Sequence, residues 1–365
     1  DCSQMITYGK LPNNKYMINW PKCGNDIYLN IIEQSPEKRK ESLKAAKLHT
    51  LRFIYHLQTK LGFKNLGIAD DEFPTADKLP MIAYHREARR LKGVVRLTLN
   101  DVTSPYTQET ALYRTGIAVG DYPIDHHHLK NPMAPAIDFV KIKVPSYNIP
   151  LGALIPENKD GLIVAEKSIS VTNIVAGASR LQPVVLTVGQ AAGALAAISI
   201  KNKIQPRDVN IRDVQRALLD AKGYLMPFID VNPTDTNFEL LQRIGATGIL
   251  KGVGIPYKWA NQTWFYPESE VNEVDLVAGL KSFYSDFEEL YPSGKMVSLS
   301  FMQKVLKAKG KAMTIENLVS ILKAAGLNRA AEGDKPISRR EVSVLLDKVL
   351  DPFNTPIDFN GKIKT

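Results

Sequence analysis

The residue pattern predicts an α+β fold of mixed helix and strand over residues 1–222, followed by a small, mainly α-helical, repeat-like domain over 223–365. Three observations carry this expectation. Strand-like runs such as Gly116-Ile-Ala-Val-Gly120 alternate with long apolar helical runs such as residues 184–200 in the first part. Beyond Gly223, short capped helices recur instead, with Val271-Asn-Glu-Val-Asp-Leu-Val-Ala-Gly-Leu280 echoing Ile337-Ser-Arg-Arg-Glu-Val-Ser-Val-Leu-Leu346 and residues 314–322 as a third copy;. The length of 365 residues with 44% hydrophobic content supports two domains, joined by a hinge at Tyr224-Leu-Met-Pro227;.

Each element has a local reason. Ser35 is a good N-cap, Pro36 fits the first helical position, and Glu37 suits the positive end of the helix;. Leu43, Ala46, Phe53, Ile54, Leu57 and Leu61 continue that helix, and Gly62 stops it;. After a Pro- and Asp-rich loop, residues 83–93 read as a second helix with Arg86 and Arg90 one turn apart and Glu87 placed to hold Arg90;. Residues 94–99 and 116–120 read as strands, and the alternation of residues 137–144 predicts a half-exposed one;. A buried strand over Leu162-Ile-Val-Ala165 then leads through a loop with Gly177, Ser179 and Arg180 into a helix opened by Gln182-Pro183. Gly189 and Gly193, four apart on that helix and followed by Ala194, Ala196 and Ala197, predict a close approach to another backbone.

Charge and composition narrow the function. The net charge of +9 is dispersed among acids, as in the run Ser35-Pro-Glu-Lys-Arg-Lys-Glu41, which reads as a solvated face and not as a nucleic-acid surface;. No apolar run suggests a membrane span. Cys2 and Cys23 allow either a small disulfide loop or two thiols, and neither lies in a C-x-x-C pair;. The start at Asp1 leads us to expect a processed or trimmed chain with an upstream domain.

Three features carry potential chemistry. The helix opened by Gln182, Pro183 and Val184 offers free amide N–H groups and a positive dipole end to an anion, although a helix packed tightly in any α/β core shares these features. Arg86 and Arg90 suit either a carboxylate or phosphate, or an interdomain ion-pair network. His126, His127 and His128 follow Asp125; adjacent histidines point apart, so we expect no metal site;. Asp125 could instead orient one histidine as a proton donor or acceptor, or the loop is simply held by hydrogen bonds.

The run Tyr147-x-Ile149-Pro150-x-x-Ala153-Leu154-Ile155-Pro156, with Leu162-Ile-Val-Ala165, Ser168-Ile169-Ser170, Ser179-Arg180-x-x-Pro183 and Gly189-Gln-Ala-Ala-Gly193, resembles the C-terminal signature of bacterial FAD-dependent oxidoreductases of a type frequent in Bacteroidetes, some labelled xanthan lyase. Arg86-Glu87-Ala88-Arg89-Arg90-Leu91-Lys92-Gly93 and Tyr122-Pro123-Ile124-Asp125-His126-His127 resemble two further motifs of that family, in order. The resemblance implies FAD as cofactor, a small-molecule or carbohydrate substrate, and hydride transfer between them. It implies Arg180, Gln182, Pro183, Val184 and Gly189 at the cofactor, and His126, His127, Arg86 and Arg90 as catalytic residues.

Two departures bear on this. Where the family reads A-G-R-C-I-S, this chain has Ala165-Glu166-Lys167-Ser168-Ile169-Ser170, with Glu166 free to pair with Lys167 or Arg180. No G-x-G-x-x-G opens a helix after a strand, so the ADP-holding part is expected in a separate or removed FAD-binding domain, and FAD is not expected to bind tightly to this chain alone. The alternative is a non-catalytic carbohydrate- or envelope-binding protein on a flavoprotein scaffold without its cofactor. In the tail, Phe228-Ile-Asp-Val231, Gly248-Ile-Leu-Lys-Gly252, Trp264-Phe-Tyr-Pro267 and Ile337-Ser-Arg-Arg-Glu341 resemble S-layer-homology repeats. That resemblance implies an exported, periplasmic or cell-surface protein, with Tyr257, Trp259, Trp264 and Tyr266 either stacking on sugars or packing within a small helical domain.

Overall fold

The computed structural model describes residues 2–20, 24–127, 133, 142–284, 287 and 290–364. It divides into two units, Asp1–Arg86 with His127–Ile137, and Glu87–His126 with Asp138–Thr365. In the first unit, α1 (Cys2–Tyr8) precedes a hairpin of β1 (Lys10–Leu11) and β2 (Lys15–Tyr16), whose turn places Asn13 and Asn14 at φ 59° and 57°. Asparagine tolerates this left-handed backbone better than most residues. α2 (Pro36–Thr59) starts as its sequence predicts: Ser35 Oγ accepts the Lys38 amide at 3.3 Å, and Leu57 is buried. Cys23, His128 and most of the strand expected over 137–144 lie outside the described residues.

The second unit begins with a difference from expectation: residues 83–93 form no helix. Their continuation runs extended, because its amides find partners far along the chain. The amides of Leu91, Val94 and Leu97 donate to Ser168 O (2.8 Å), Ile155 O (2.9 Å) and Ser170 O (3.0 Å). Gly93 permits this approach, since a Cβ there would lie 2.7 Å from Ser170 Cβ. α3 (Leu99–Thr103) follows behind a capping box of Thr98 and Asp101;. β3 (Gly116–Gly120) and β4 (Tyr147–Pro150) then pair antiparallel, from Gly116 opposite Pro150 to Gly120 opposite Tyr147.

Residues 162–165 form no strand either. Val164 N donates to Leu154 O at 2.8 Å, but Leu162 is exposed and no ladder forms around it. The loop expected around Gly177 is instead α4 (Asn173–Ser179), capped by Thr172 Oγ1 on the Val175 amide. α5 (Gln182–Asn202) opens at Gln182-Pro183 as predicted and packs on β3 and on α6 (Ile211–Asp220), burying Val184, Val188, Ala191 and Leu195. Contrary to expectation, α5 has the length and apolar composition of a membrane-spanning helix, alone among the described residues; its packed face is that of a core helix. The opposite face is open. A Cβ at Gly189 or Gly193 would meet nothing within 4 Å, so the predicted close backbone approach is not made by the described residues.

Further along lie α7 (Phe238–Thr247), a hairpin of β5 (Val253–Ile255) and β6 (Gln262–Trp264), α8 (Glu273–Phe283), α9 (Leu299–Ala308), α10 (Ile315–Ala324) and α11 (Arg339–Leu345). The entries to α8, α9 and α11 lie side by side. Val297 N donates to Val271 O and Ile337 N to Val297 O, both at 2.9 Å, with all three side chains buried. Asn272, Ser298 and Ser338 cap the helices that follow;. The third member of this set is thus the entry to α9, not the expected copy over 314–322.

One apolar cluster runs from Val95 to Ile357, so the division between units does not fall at the expected 222/223 boundary. The expected hinge is held internally: Gln242 Oε1 accepts the amides of Leu225 (2.9 Å) and Met226 (2.7 Å). Arg114, 6% exposed, ties the rest together. Its guanidinium donates to Thr247 O (2.9 Å), Gly361 O (3.1 Å) and Ser282 O (3.0 Å). Arg114→Met should leave these carbonyl oxygens without their donor and destabilise the chain by about 3 kcal/mol or more, read as a lower urea midpoint.

Candidate functional site

The richest cluster of ionisable side chains in the second unit gathers where α4 meets the segment around His126. Thr172 sets the start of α4, which places Asn173, the Ile174 carbonyl and Gly177 along one side and Arg180 at its C-terminal end. His126, with 3% of its side chain exposed, stands against that side. Its Nδ1 lies 2.8 Å from Glu87 Oε1 and its Nε2 3.0 Å from Ile174 O. A backbone carbonyl can only accept, so the geometry assigns a proton to Nε2, with Nδ1 hydrogen-bonded to Glu87;. Asn173 Nδ2 donates to Glu87 Oε2 at 3.4 Å. A Cβ at Gly177 would lie 2.6 Å from His126 Nε2, so this position needs a glycine for the imidazole to approach;.

Arg180 forms the second half of the cluster. Buried to 5% exposure, it donates from Nη2 to Asp125 Oδ2 at 2.8 Å. Tyr147, on β4, lies with its ring against Gly120, where a Cβ would sit 2.7 Å from the phenol oxygen. Burial raises the Tyr147 phenol pKa, Asp121 adds to that rise, and Arg180 opposes it, so these charges surround the ring. The Glu87 carboxyl is held below its usual range, first by the His126 hydrogen bond, with Arg90 and Arg180 contributing their charge;. Three donors in this neighbourhood are buried without a hydrogen-bond partner: Arg90 Nε, Arg180 Nε and Tyr147 Oη. An excess of buried donors of this kind suits a ligand that presents oxygen acceptors or negative charge.

The structure thus brings together His126, Arg90 and Arg180 of the residues singled out in the sequence. Arg86 ends the first unit. His127 also belongs to that unit, where its Nδ1 lies 2.7 Å from Asp26 Oδ2. Arg86 and Arg90 do not share a helix face, because no helix forms there. Gln182, Pro183 and Val184 form the first turn of α5, and its N-cap residue Leu181 supplies no side-chain cap, which leaves the first amides of that helix unengaged by a cap;. Gly189 lies on the exposed face of α5. Glu166 pairs with Lys167 at 3.2 Å and adopts φ 66°, a left-handed backbone that a glycine takes without strain;. Tyr147 entered the sequence reading only as the first residue of the run through Pro156, and Asn173 and the Ile174 carbonyl escaped it. Thr172 before Asn173 is the signal of a capped helix that would have placed the last two;.

The residues fit part of a flavin nucleotide. The uncapped start of α5 and the unpaired Arg180 Nε suit the electron-rich edge of an isoalloxazine ring;. The ADP half finds no match, since the sheets among the described residues are two-stranded antiparallel pairs without a parallel dinucleotide-binding sheet;. The family whose model matches this chain is described as FAD dependent oxidoreductase, and the match covers residues 1–218. No curated protein and no solved structure matches the chain.

The Glu87–His126 pair makes stability pH-dependent on the acid side. Because the folded carboxyl titrates below its unfolded value, its contribution is fully present above the unfolded carboxylate pKa of about 4.3 and is lost as pH falls through the depressed folded value;. Glu87→Gln should therefore lower stability at neutral pH and flatten the fall in denaturation midpoint on acidification. An unchanged acid limb in that variant would show that Glu87 does not carry it.

Proposed function

Because the chain belongs to the FAD dependent oxidoreductase family, we propose that it forms the substrate and cap side of a flavoprotein oxidoreductase, with hydride transfer between flavin and a small oxygen-bearing substrate. A carbohydrate-derived substrate is the first class to test. The observation that carries this reading is the set of three buried, unpartnered donors, Arg90 Nε, Arg180 Nε and Tyr147 Oη, beside the Glu87–His126 pair. When bound, FAD would supply the hydride acceptor.

The residues of the chain do the rest. Arg180 is fixed by Asp125, so its Nε–H is aimed before any ligand arrives, and pre-set donors of this kind stabilise developing negative charge without reorganisation;. Tyr147 Oη and Arg90 Nε offer two more donors to substrate or cofactor oxygens. His126 holds a proton at Nε2, and Glu87 keeps the ring in place through Nδ1;. The amides of Gln182 and Val184, at the start of α5, would hold the cofactor, with Pro183 and Gly189 on the same helix. The ADP half would be held by a separate or removed FAD-binding domain.

A second reading, a carbohydrate-binding envelope protein without cofactor, is favoured by one observation. Trp264 and Tyr266 stack at 5.7 Å with planes 16° apart, and Tyr266 is 40% exposed. Asp230 holds that ring in place by accepting the amides of Phe265 (2.8 Å) and Tyr266 (2.6 Å), although Tyr266 sits at φ 54°. An S-layer-homology-like tail and an exported location belong to this reading.

Titrating FAD with the chain distinguishes the two. The flavoprotein reading expects quenching or a shift of the flavin's visible bands, with Arg180→Ala weakening binding by about tenfold, roughly 1.4 kcal/mol. No flavin response, together with polysaccharide binding lost on Trp264→Ala, would sink the first reading in favour of the second.

A further inference from the structure

β4 has two faces, and the second one lines a cavity. Alternate residues of a strand point to opposite sides. Tyr147 faces Gly120 and the charged cluster, whereas Asn148 turns toward Tyr113, Leu225 and Met226. Beside Asn148 lies a cavity of about 300 Å³, at the small end of ligand sites, which Tyr147 also borders;.

Its chemistry is specific. Flat apolar groups form the walls: Tyr106 and Tyr113, whose rings meet edge to face at 4.8 Å, with Pro145, Pro227 and Met226. Such walls suit a single aromatic ring. On one wall, Ser146 Oγ donates to Thr263 Oγ1 at 2.7 Å, and Thr263 Oγ1 donates back to Ser146 O at 3.3 Å. Both hydroxyl protons are therefore directed inward, and the remaining lone pairs accept. Two charged residues line the mouth. Asp101 is engaged by the Thr98 amide (2.8 Å) and hydroxyl (2.6 Å), whereas Lys143 is exposed and forms no ion pair among the described residues.

We propose that this cavity binds a small aromatic acid carrying a ring hydroxyl. The hydroxyl donates to the Ser146–Thr263 pair, the ring lies between Tyr106 and the prolines, and the carboxylate reaches Lys143. The site is distinct from the Glu87–His126 pair and Arg180, which do not line it, and shares only Tyr147 with the flavin reading.

The test is titration of the full chain with 4-hydroxyphenylacetate, tyramine and methyl glucoside, followed by calorimetry. Saturable binding of 4-hydroxyphenylacetate alone is expected. Lys143→Glu, an exposed substitution whose thermal midpoint should match that of the parent, should weaken 4-hydroxyphenylacetate by about fivefold or more and admit tyramine. Thr263→Val keeps the shape of the wall but removes one of the two hydroxyl oxygens, and should weaken the phenol relative to phenylacetate. Equal binding of acid and amine by the parent chain, preference for the glucoside, or no saturable binding of 4-hydroxyphenylacetate at millimolar concentration would overturn the proposal.

Discussion

The second unit depends on a buried cation shared among carbonyl oxygens. Arg114 reaches the end of α7, α8 and the segment at Gly361 with one planar group, and its ring neighbours Tyr113 and Phe283 cover the guanidinium. Its own carbonyl is also used: Arg212 Nη1 (3.2 Å) and Gln215 Nε2 (3.0 Å), both from α6, donate to Arg114 O. Burial and the nearby Arg114 charge lower the Arg212 pKa to about 9, which still leaves it protonated at neutral pH, over the Phe353 ring;. A guanidinium offers five donors in a rigid plane, so it fixes the relative placement of segments that an ammonium would only attract. Arg114 lies two residues before the start of β3, and the same anchor therefore sets β3 and its partner β4.

Much of the local structure was legible because it depends on neighbours in sequence. Ser35-Pro36 announced α2, Gln182-Pro183 announced α5, and Ser338 with Glu341 announced α11. The failures share another cause. Residues 83–97 have helical composition at their start, yet Leu91, Val94 and Leu97 satisfy their amides on carbonyls some sixty to eighty positions away, information that no local window holds. The apolar run 162–165 likewise has strand composition without an available partner strand among the described residues. In the site, His126 and Arg180 stood out by type and motif and Tyr147 by motif alone, whereas the role of the Tyr147 ring and of the Ile174 carbonyl depends on where β4 and α4 bring them. Tertiary approach selected them, and Gly177 and Gly120 are the traces it left in the sequence.

Glu166 shows how family likeness and physical reading inform each other. At Glu166 the backbone adopts the left-handed form that glycine favours, φ 66°. Such a conformation costs a non-glycine residue about 1–2 kcal/mol. The surrounding chain, held by Val164 N on Leu154 O and Leu91 N on Ser168 O, keeps the turn in place. The charge at Glu166 meanwhile is directed to Lys167, away from Arg180 and the donors around it.

The reach of Arg114 also has a temporal side. Gly361, which accepts from Arg114 Nη1, lies 247 positions downstream. A ribosome makes the anchor long before the residue that completes it. Throughout synthesis of the intervening chain, the core around β3 and β4 therefore carries a cation with a vacant donor, and the nascent unit cannot reach its final arrangement by folding segment by segment as it emerges. The contact that completes the Arg114 anchor therefore forms only once Gly361 has been made.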